Sequence, residues 1–145
     1  MKLVSIKIRN FRIYKDETTI SLGDLNCVIG KNDIGKSTIL EALNIFFNDG
    51  IEKTDISVNA EDETIEMTCI FDDFKEQIVL DSTVETSLQE ESLLNQNGLL
   101  EIKKTFRIGG TITKSTFIVA NHETHEKLLN ILTLKNSPLK SLASE

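Results

Sequence analysis

Gly30-Lys31-Asn32-Asp33-Ile34-Gly35-Lys36-Ser37 is the stretch of this chain whose residue types and spacing can do chemistry. It reads G-x-x-x-x-G-K-S, the pattern of a phosphate-binding P-loop. The glycines let the backbone wrap closely enough for its N–H groups to point at phosphate oxygens. Lys36 reaches the β- and γ-phosphates, and the Ser37 hydroxyl can ligate Mg²⁺. Asn32, Asp33 and Ile34 contribute backbone N–H groups, and Thr38 reaches the α-phosphate by its position. Asp33 adds a negative charge beside phosphates. That charge is unfavourable unless the side chain points away or orients metal-bound water.

Such a loop needs a strand before it and a helix after it. Leu25-Asn26-Cys27-Val28-Ile29 is almost wholly apolar, as expected of a parallel strand buried on both faces. Ile39, Leu40, Leu43, Phe46 and Phe47 recur at helical spacing, opposite Glu41, Asn44 and Asn48. The helix N-terminus would add its dipole and free N–H groups to the anion site. Gly50 supplies a left-handed cap near its end.

The remaining chain reads mostly as strands. Lys2 to Phe11 and Thr18 to Leu22 precede the loop. Ile65, Met67, Cys69 and Phe71 alternate with Glu66 and Thr68. Leu100, Ile102, Phe106 and Ile108 alternate with polar residues and lead through Gly109-Gly110 into a return strand over Thr111 to Ala120. Asp73 to Ile78 reads as a short helix and residues 81–97 as a loop or surface helix anchored by Leu88, Leu93 and Leu94. Glu123 to Thr133 reads as a further helix. The fold class is therefore α/β: a parallel core strand with antiparallel strands appended after the first helix.

Net charge is −7 but unevenly spread. Residues 1–48 carry a net +2, residues 49–98 a net −12 and residues 99–120 a net +3. The acidic middle repels polyanions, so a nucleic-acid contact would avoid it. Lys103, Lys104, Arg107 and Lys114 form the densest basic cluster, either a DNA-backbone contact or a solvated hairpin face. No apolar run is long enough to span a bilayer and no signal-peptide core is present, which points to a cytoplasmic protein without a membrane partner. Cys27 and Cys69 sit in apolar strand patterns and read as core residues, not as a disulfide or metal pair.

Two further signals invite chemistry and are rejected. Cys69-Ile70-Phe71-Asp72-Asp73 mimics a Walker B strand whose acid holds Mg²⁺. Its one-faced alternation instead fits an antiparallel strand, so Asp72 is not the metal acid. His122 and His125 flank Glu123 without zinc spacing.

Ile6-Lys7-Ile8-Arg9-Asn10-Phe11-Arg12, the apolar run into Gly30, the P-loop and Ile39-Leu40-Glu41-Ala42-Leu43 together resemble the N-terminal lobe of ABC-type ATPase heads of the SMC, RecF and OLD families. SMC and RecF heads usually carry Asn-Gly inside the loop. Asn32-Asp33 here looks most like OLD-family ATP-dependent endonucleases. The resemblance covers the chain but is specific only over its first third. It implies binding of ATP and Mg²⁺, action on DNA by the full-length protein, and pairing as a homo-oligomer or with a partner subunit. It also implies that residues 1–145 are the N-terminal part of a larger ATPase, inactive alone, with no catalytic residue of its own. Alternatives are an SMC/RecF-type repair or chromosome-maintenance head without nuclease activity, or a module that binds nucleotide without turnover. In SMC-like heads an arginine at the position of Arg12 often reaches the nucleotide; otherwise Arg12 is a surface arginine at a strand end.

Overall fold

The computed structural model describes residues 1–30, 35–74, 78–81 and 84–121. Eight elements position the loop: β1 (Lys2–Arg9), β2 (Thr18–Ser21), α1 (Lys36–Asn48), β3 (Thr64–Asp72), β4 (Ile78–Asp81), β5 (Val84–Thr86), β6 (Leu100–Ile108) and β7 (Ile112–Val119). Five strands form one sheet in the order β2-β1-β3-β6-β7, and β4 pairs with β5 separately. Every pairing among the described residues is antiparallel.

Alternation decides which face of the sheet is buried. Ile6 and Ile8 of β1 stand opposite Cys69 and Met67 of β3, and Cys69 and Ile65 stand opposite Ile102 and Phe106 of β6. This apolar face receives Ala42, Ile45 and Phe46 of α1, and together they make the core. The register slips between Leu3 and Ser5, where one extra residue accommodates Val4. The opposite face is polar and cross-linked by charge: Lys7 with Glu101, and Arg9 and Lys103 with Glu66. Cys69 is buried, and burial pushes its thiol up to about 12, so it is an inert core group.

Five expectations change. Residues 25–29 form no strand, and Leu25 and Ile29 are 92% and 88% exposed. A parallel strand needs hydrogen-bonding neighbours on its edges and apolar cover on both faces. No described strand pairs with this segment. Cys27, expected in the core, is exposed for the same reason. On α1, Leu40 and Phe47 lie on the outer side, leaving Ile39, Ala42, Ile45 and Phe46 as the inward stripe. Ile78 begins a strand, not the end of a helix, and β5, Val84–Thr86, is a strand inside the stretch expected to be loop or surface helix.

The hairpin of β6 and β7 forms as expected, although residues 109–111 make the turn, since Ile108 pairs with Ile112. Leu88 is buried, and Leu93 and Leu94 pack against the core. The helix expected over 123–133, with His122 and His125, lies outside the described residues.

Candidate phosphate site

The second glycine of the loop sets the geometry. Gly35 is the N-cap of α1 with φ 82° and ψ 14°, the left-handed region that a side chain enters only at a cost. Its carbonyl accepts the first helical hydrogen bond, from the Ile39 N–H at 3.3 Å. A Cβ at Gly35 would lie 2.1 Å from Cδ1 of Ile13, so a side chain there would meet an unfavourable φ and also push the end of Ile13 aside. Lys36, Ser37 and Thr38 follow as the first turn of α1, whose N–H groups lack helical acceptors. Thr38 is buried against the core, whereas Ser37 is open to solvent. Lys36 Nζ donates to the Gly30 carbonyl oxygen at 2.7 Å, which closes the ends of the loop onto each other. Asn32, Asp33 and Ile34, expected to give backbone donors, lie outside the described residues.

These features fit a phosphate group. A cation stands at the mouth of the loop beside the Gly30 carbonyl, and a left-handed glycine opens a helix whose N-terminal end favours an anion. Ser37 is the one expected metal ligand. No cluster of three or more metal-ligating side chains occurs among the described residues.

Arg12 is held within the protein. Its Nε donates to Asp55 Oδ1 at 2.9 Å, and its Nη2 donates to Glu41 Oε1 at 2.8 Å, while Nη1 completes a forked pair with Glu41. Burial would lower its pKa, but the bonds to Asp55 and Glu41 outweigh that and raise it. Asp55 lies in a single 3₁₀ turn, Lys53–Asp55, and is itself buried. Glu41 and Asp55 are thus functional candidates that the sequence left unmarked. In the sequence Glu41 stands opposite the apolar stripe of its helix, and Asp55 belongs to no helix or strand pattern. The available signal was that Glu41 follows Ser37 by four residues and so shares its helix face.

The other sequence candidates lie on β3, β6 and β7. Asp72 ends β3, is exposed, and accepts the Asp73 N–H at 2.7 Å. Its strand lies between antiparallel neighbours, as its alternation indicates. The basic cluster splits across the two faces of its hairpin. Lys103 pairs with Glu66 at 3.1 Å on the polar face. On the other, Lys104 Nζ donates to the Phe46 carbonyl at 2.6 Å and to Asp49 at 3.1 Å, and Lys114 reaches Asp49 at 2.6 Å. These lysines neutralise the C-terminal end of α1, where helix carbonyls lack partners. Arg107 remains exposed.

The model of the AAA ATPase domain family matches residues 1–145, the whole chain. A structural maintenance of chromosomes protein 3 homolog from Plasmodium falciparum is 42% identical over 53 residues, covering 36% of this chain and 4% of that protein. The DNA replication and repair protein RecF of Chlamydia caviae is 42% identical over 43 residues, covering 30% of this chain and 12% of that one. The chain therefore matches a small part of the length of either relative. Among solved structures, one from a study of ATP-driven dimerization and DNA-stimulated activation of SMC ATPases superposes with a TM-score of 0.56 at 13% identity, over 92% of this chain and 78% of that chain. The SMC head domain from Thermotoga maritima gives 0.53 at 16% identity, over 84% of this chain and 39% of that chain. At such identities the likeness establishes a fold of the SMC-head type.

Proposed function

This chain belongs to the AAA ATPase domain family, and we propose that residues 30–38 bind the phosphates of ATP, with Mg²⁺ at Ser37, as the nucleotide lobe of an SMC/RecF-type ATPase head. The observation that carries this reading is the left-handed Gly35 opening α1 directly into Lys36 and Ser37. Lys36 would exchange its bond to the Gly30 carbonyl for phosphate oxygens, whose negative charge makes them the stronger partner of an ammonium. The metal would supply charge neutralisation between the β- and γ-phosphates. The chain's own groups hold the phosphates and cap the helix. The residues that would orient an attacking water lie elsewhere in the assembly, so the 145-residue piece binds ATP and does not turn it over. In the full protein the head would pair with a second copy or a partner subunit and act on DNA in the cytoplasm, as the description of the dimerizing, DNA-stimulated SMC ATPase suggests by analogy.

A second reading is an OLD-family nuclease, favoured by Asn32-Asp33 inside the loop. Sequence following residue 145 with an acidic nuclease cluster would favour it. A long heptad repeat there would favour the SMC/RecF reading.

Calorimetric titration with ATP, with and without Mg²⁺, tests the site. Lys36→Ala should lose about tenfold to a hundredfold in affinity, the scale of a hydrogen bond to a charged group. Ser37→Ala should weaken binding more with Mg²⁺ than without. Unchanged affinity in Lys36→Ala would sink the assignment. Sustained phosphate release by residues 1–145, abolished in Lys36→Ala, would show the catalytic acid is already present.

A further inference from the structure

The turn that follows β1 holds two non-glycine residues in the left-handed region, a conformation that Asn tolerates and Arg rarely adopts. Asn10 and Arg12, neither of them glycine, take φ values of 60° and 51° in the left-handed region. Such strain persists only where surrounding bonds over-determine it. Here they do. The Asn10 side-chain amide donates to the Asp62 and Thr64 carbonyls at 2.8 and 3.0 Å. The Arg12 N–H donates to the Asp55 carbonyl at 2.7 Å, and Phe11 and Tyr14 exchange backbone bonds at 3.0 and 2.8 Å.

What this turn presents is a lid on the P-loop glycine. Ile13 Cδ1 occupies the space where a Gly35 side chain would be. The Tyr14 hydroxyl stands 3.4 Å from the Gly35 carbonyl oxygen, the same oxygen that accepts the first bond of α1. The guanidinium of Arg12 ties the turn on one side to Glu41 of α1 and on the other to the buried carboxylate of Asp55. A planar fork suits this task, because it fixes both partners in direction as well as distance.

We infer that Arg12, Glu41 and Asp55 form a positioning clamp that seats the Ile13–Tyr14 turn on Gly35 and so fixes the phosphate-binding end of α1. The inference deepens the ATP reading and rests on it for its ligand. It assigns Arg12 a role through other residues, not a contact with phosphate. The two roles predict opposite signs for one substitution. Glu41 shares a helix face with Ser37, so Glu41→Gln removes a negative charge beside the anion site and weakens one of the two ties on Arg12, leaving Asp55 as the other. If Arg12 were a phosphate ligand held back by Glu41, affinity for ATP would rise. If Arg12 positions the turn, affinity falls.

The experiment is an ATP·Mg²⁺ titration of the full chain and its Glu41→Gln, Arg12→Ala and Arg12→Lys variants, with residue-resolved amide exchange recorded without nucleotide. Glu41→Gln should bind ATP about fivefold to tenfold more weakly, the scale of a sub-ångström misplacement. Its Ile39 and Tyr14 amides should exchange several-fold faster, with an unfolding midpoint close to that of the unchanged protein. Arg12→Lys should recover part of the affinity lost in Arg12→Ala. Glu41→Gln binding as tightly as the unchanged protein, or more tightly, overturns the clamp. If the unchanged protein binds no ATP, the nucleotide reading fails and exchange alone decides: faster Ile39 exchange in Glu41→Gln supports the clamp, and unchanged exchange overturns it.

Discussion

Phe106 on β6 and Ile29 before the P-loop are both large apolar residues in strand-like sequence, yet Phe106 is 1% exposed and Ile29 is 88% exposed. The difference lies in how many partners each setting needs. An antiparallel strand of this sheet buries one face, and its neighbours are available nearby: β6 has β7 across a short turn and β3 on its other edge. A strand buried on both faces needs two layers and two lateral neighbours at once. The described residues supply neighbours on both edges for β3 and β6 but none for residues 25–29. Leu40 and Phe47 of α1 also face outward, although Phe47 meets Phe46 and Phe71 edge-on.

Paired truncations sharpen this contrast and give the largest effect. Phe106→Ala should destabilise by about 3–5 kcal/mol, the cost of emptying a filled aromatic site. Leu25→Ala, at a position that is 92% exposed, should cost no more than about 0.5 kcal/mol. Urea unfolding of the two variants measures both. A cost of several kcal/mol at Leu25 would mean that residues 25–29 are covered in solution, and the contrast would dissolve.

The same logic explains what the sequence discloses. Thr64–Asp72 and Leu100–Ile108 are legible because apolar residues recur at alternate positions, Ile65, Met67, Cys69 and Phe71 in one and Leu100, Ile102, Phe106 and Ile108 in the other. The helix start is legible because Gly35 and the first-turn residues carry their own backbone requirement. The apolar run into Gly30 is equally clear as a strand pattern, but a pattern cannot supply the neighbours. The ties that hold the site are hidden for a different reason. Arg12 meets Glu41 and Asp55 across separations of 29 and 43 residues. Nothing local marks Glu41 or Asp55 as its partners. Lys104 and Lys114 look like a polyanion-binding cluster because their charge is visible in sequence, whereas Asp49 and the Phe46 carbonyl that neutralise them become neighbours only after folding. β4 and β5, four and three residues long, are too short for any period to emerge.

Gly35→Ala tests the loop side of the comparison and should rank second. A left-handed φ costs a side chain about 1–2 kcal/mol, and the added Cβ would also displace Ile13, whose contact is the flexible end of its side chain. Removing that end in Ile13→Ala should therefore relieve only part of the loss in the double variant. Full recovery of the unfolding midpoint would mean that crowding, not φ, is what demands glycine. Third comes the hairpin's hold on α1. Lys104→Met removes a bond to the Phe46 carbonyl as well as an ion pair and should cost about 1 kcal/mol. Lys114→Met loses only an exposed pair with Asp49 and should cost a few tenths of that scale. Equal costs for the two lysines would show that the helix carbonyl contributes nothing.

The smallest effect belongs to the polar face of the sheet, where Glu101 accepts from Lys7 at 2.9 Å and from Asn95 at 2.8 Å. Burial would raise the Glu101 pKa, but the bonds from Lys7 and Asn95 outweigh it and hold the carboxyl below its ordinary value. A carboxyl with a lowered folded pKa stabilises the protein fully above its unfolded value and loses that contribution as pH falls through the folded one. The unchanged protein should therefore be more stable than Glu101→Gln at pH 7. The gap should narrow once the pH drops below about 4.3, the ordinary glutamate value, and close once the folded carboxyl is protonated. Taking the difference between two proteins that share every other titrating group removes the background of acid denaturation. Urea midpoints of both, collected from pH 7 downward, give the curve. A gap that stays constant across that range would mean Glu101 acts through packing and neutral hydrogen bonds, and that charge pairing on this face does not stabilise the sheet.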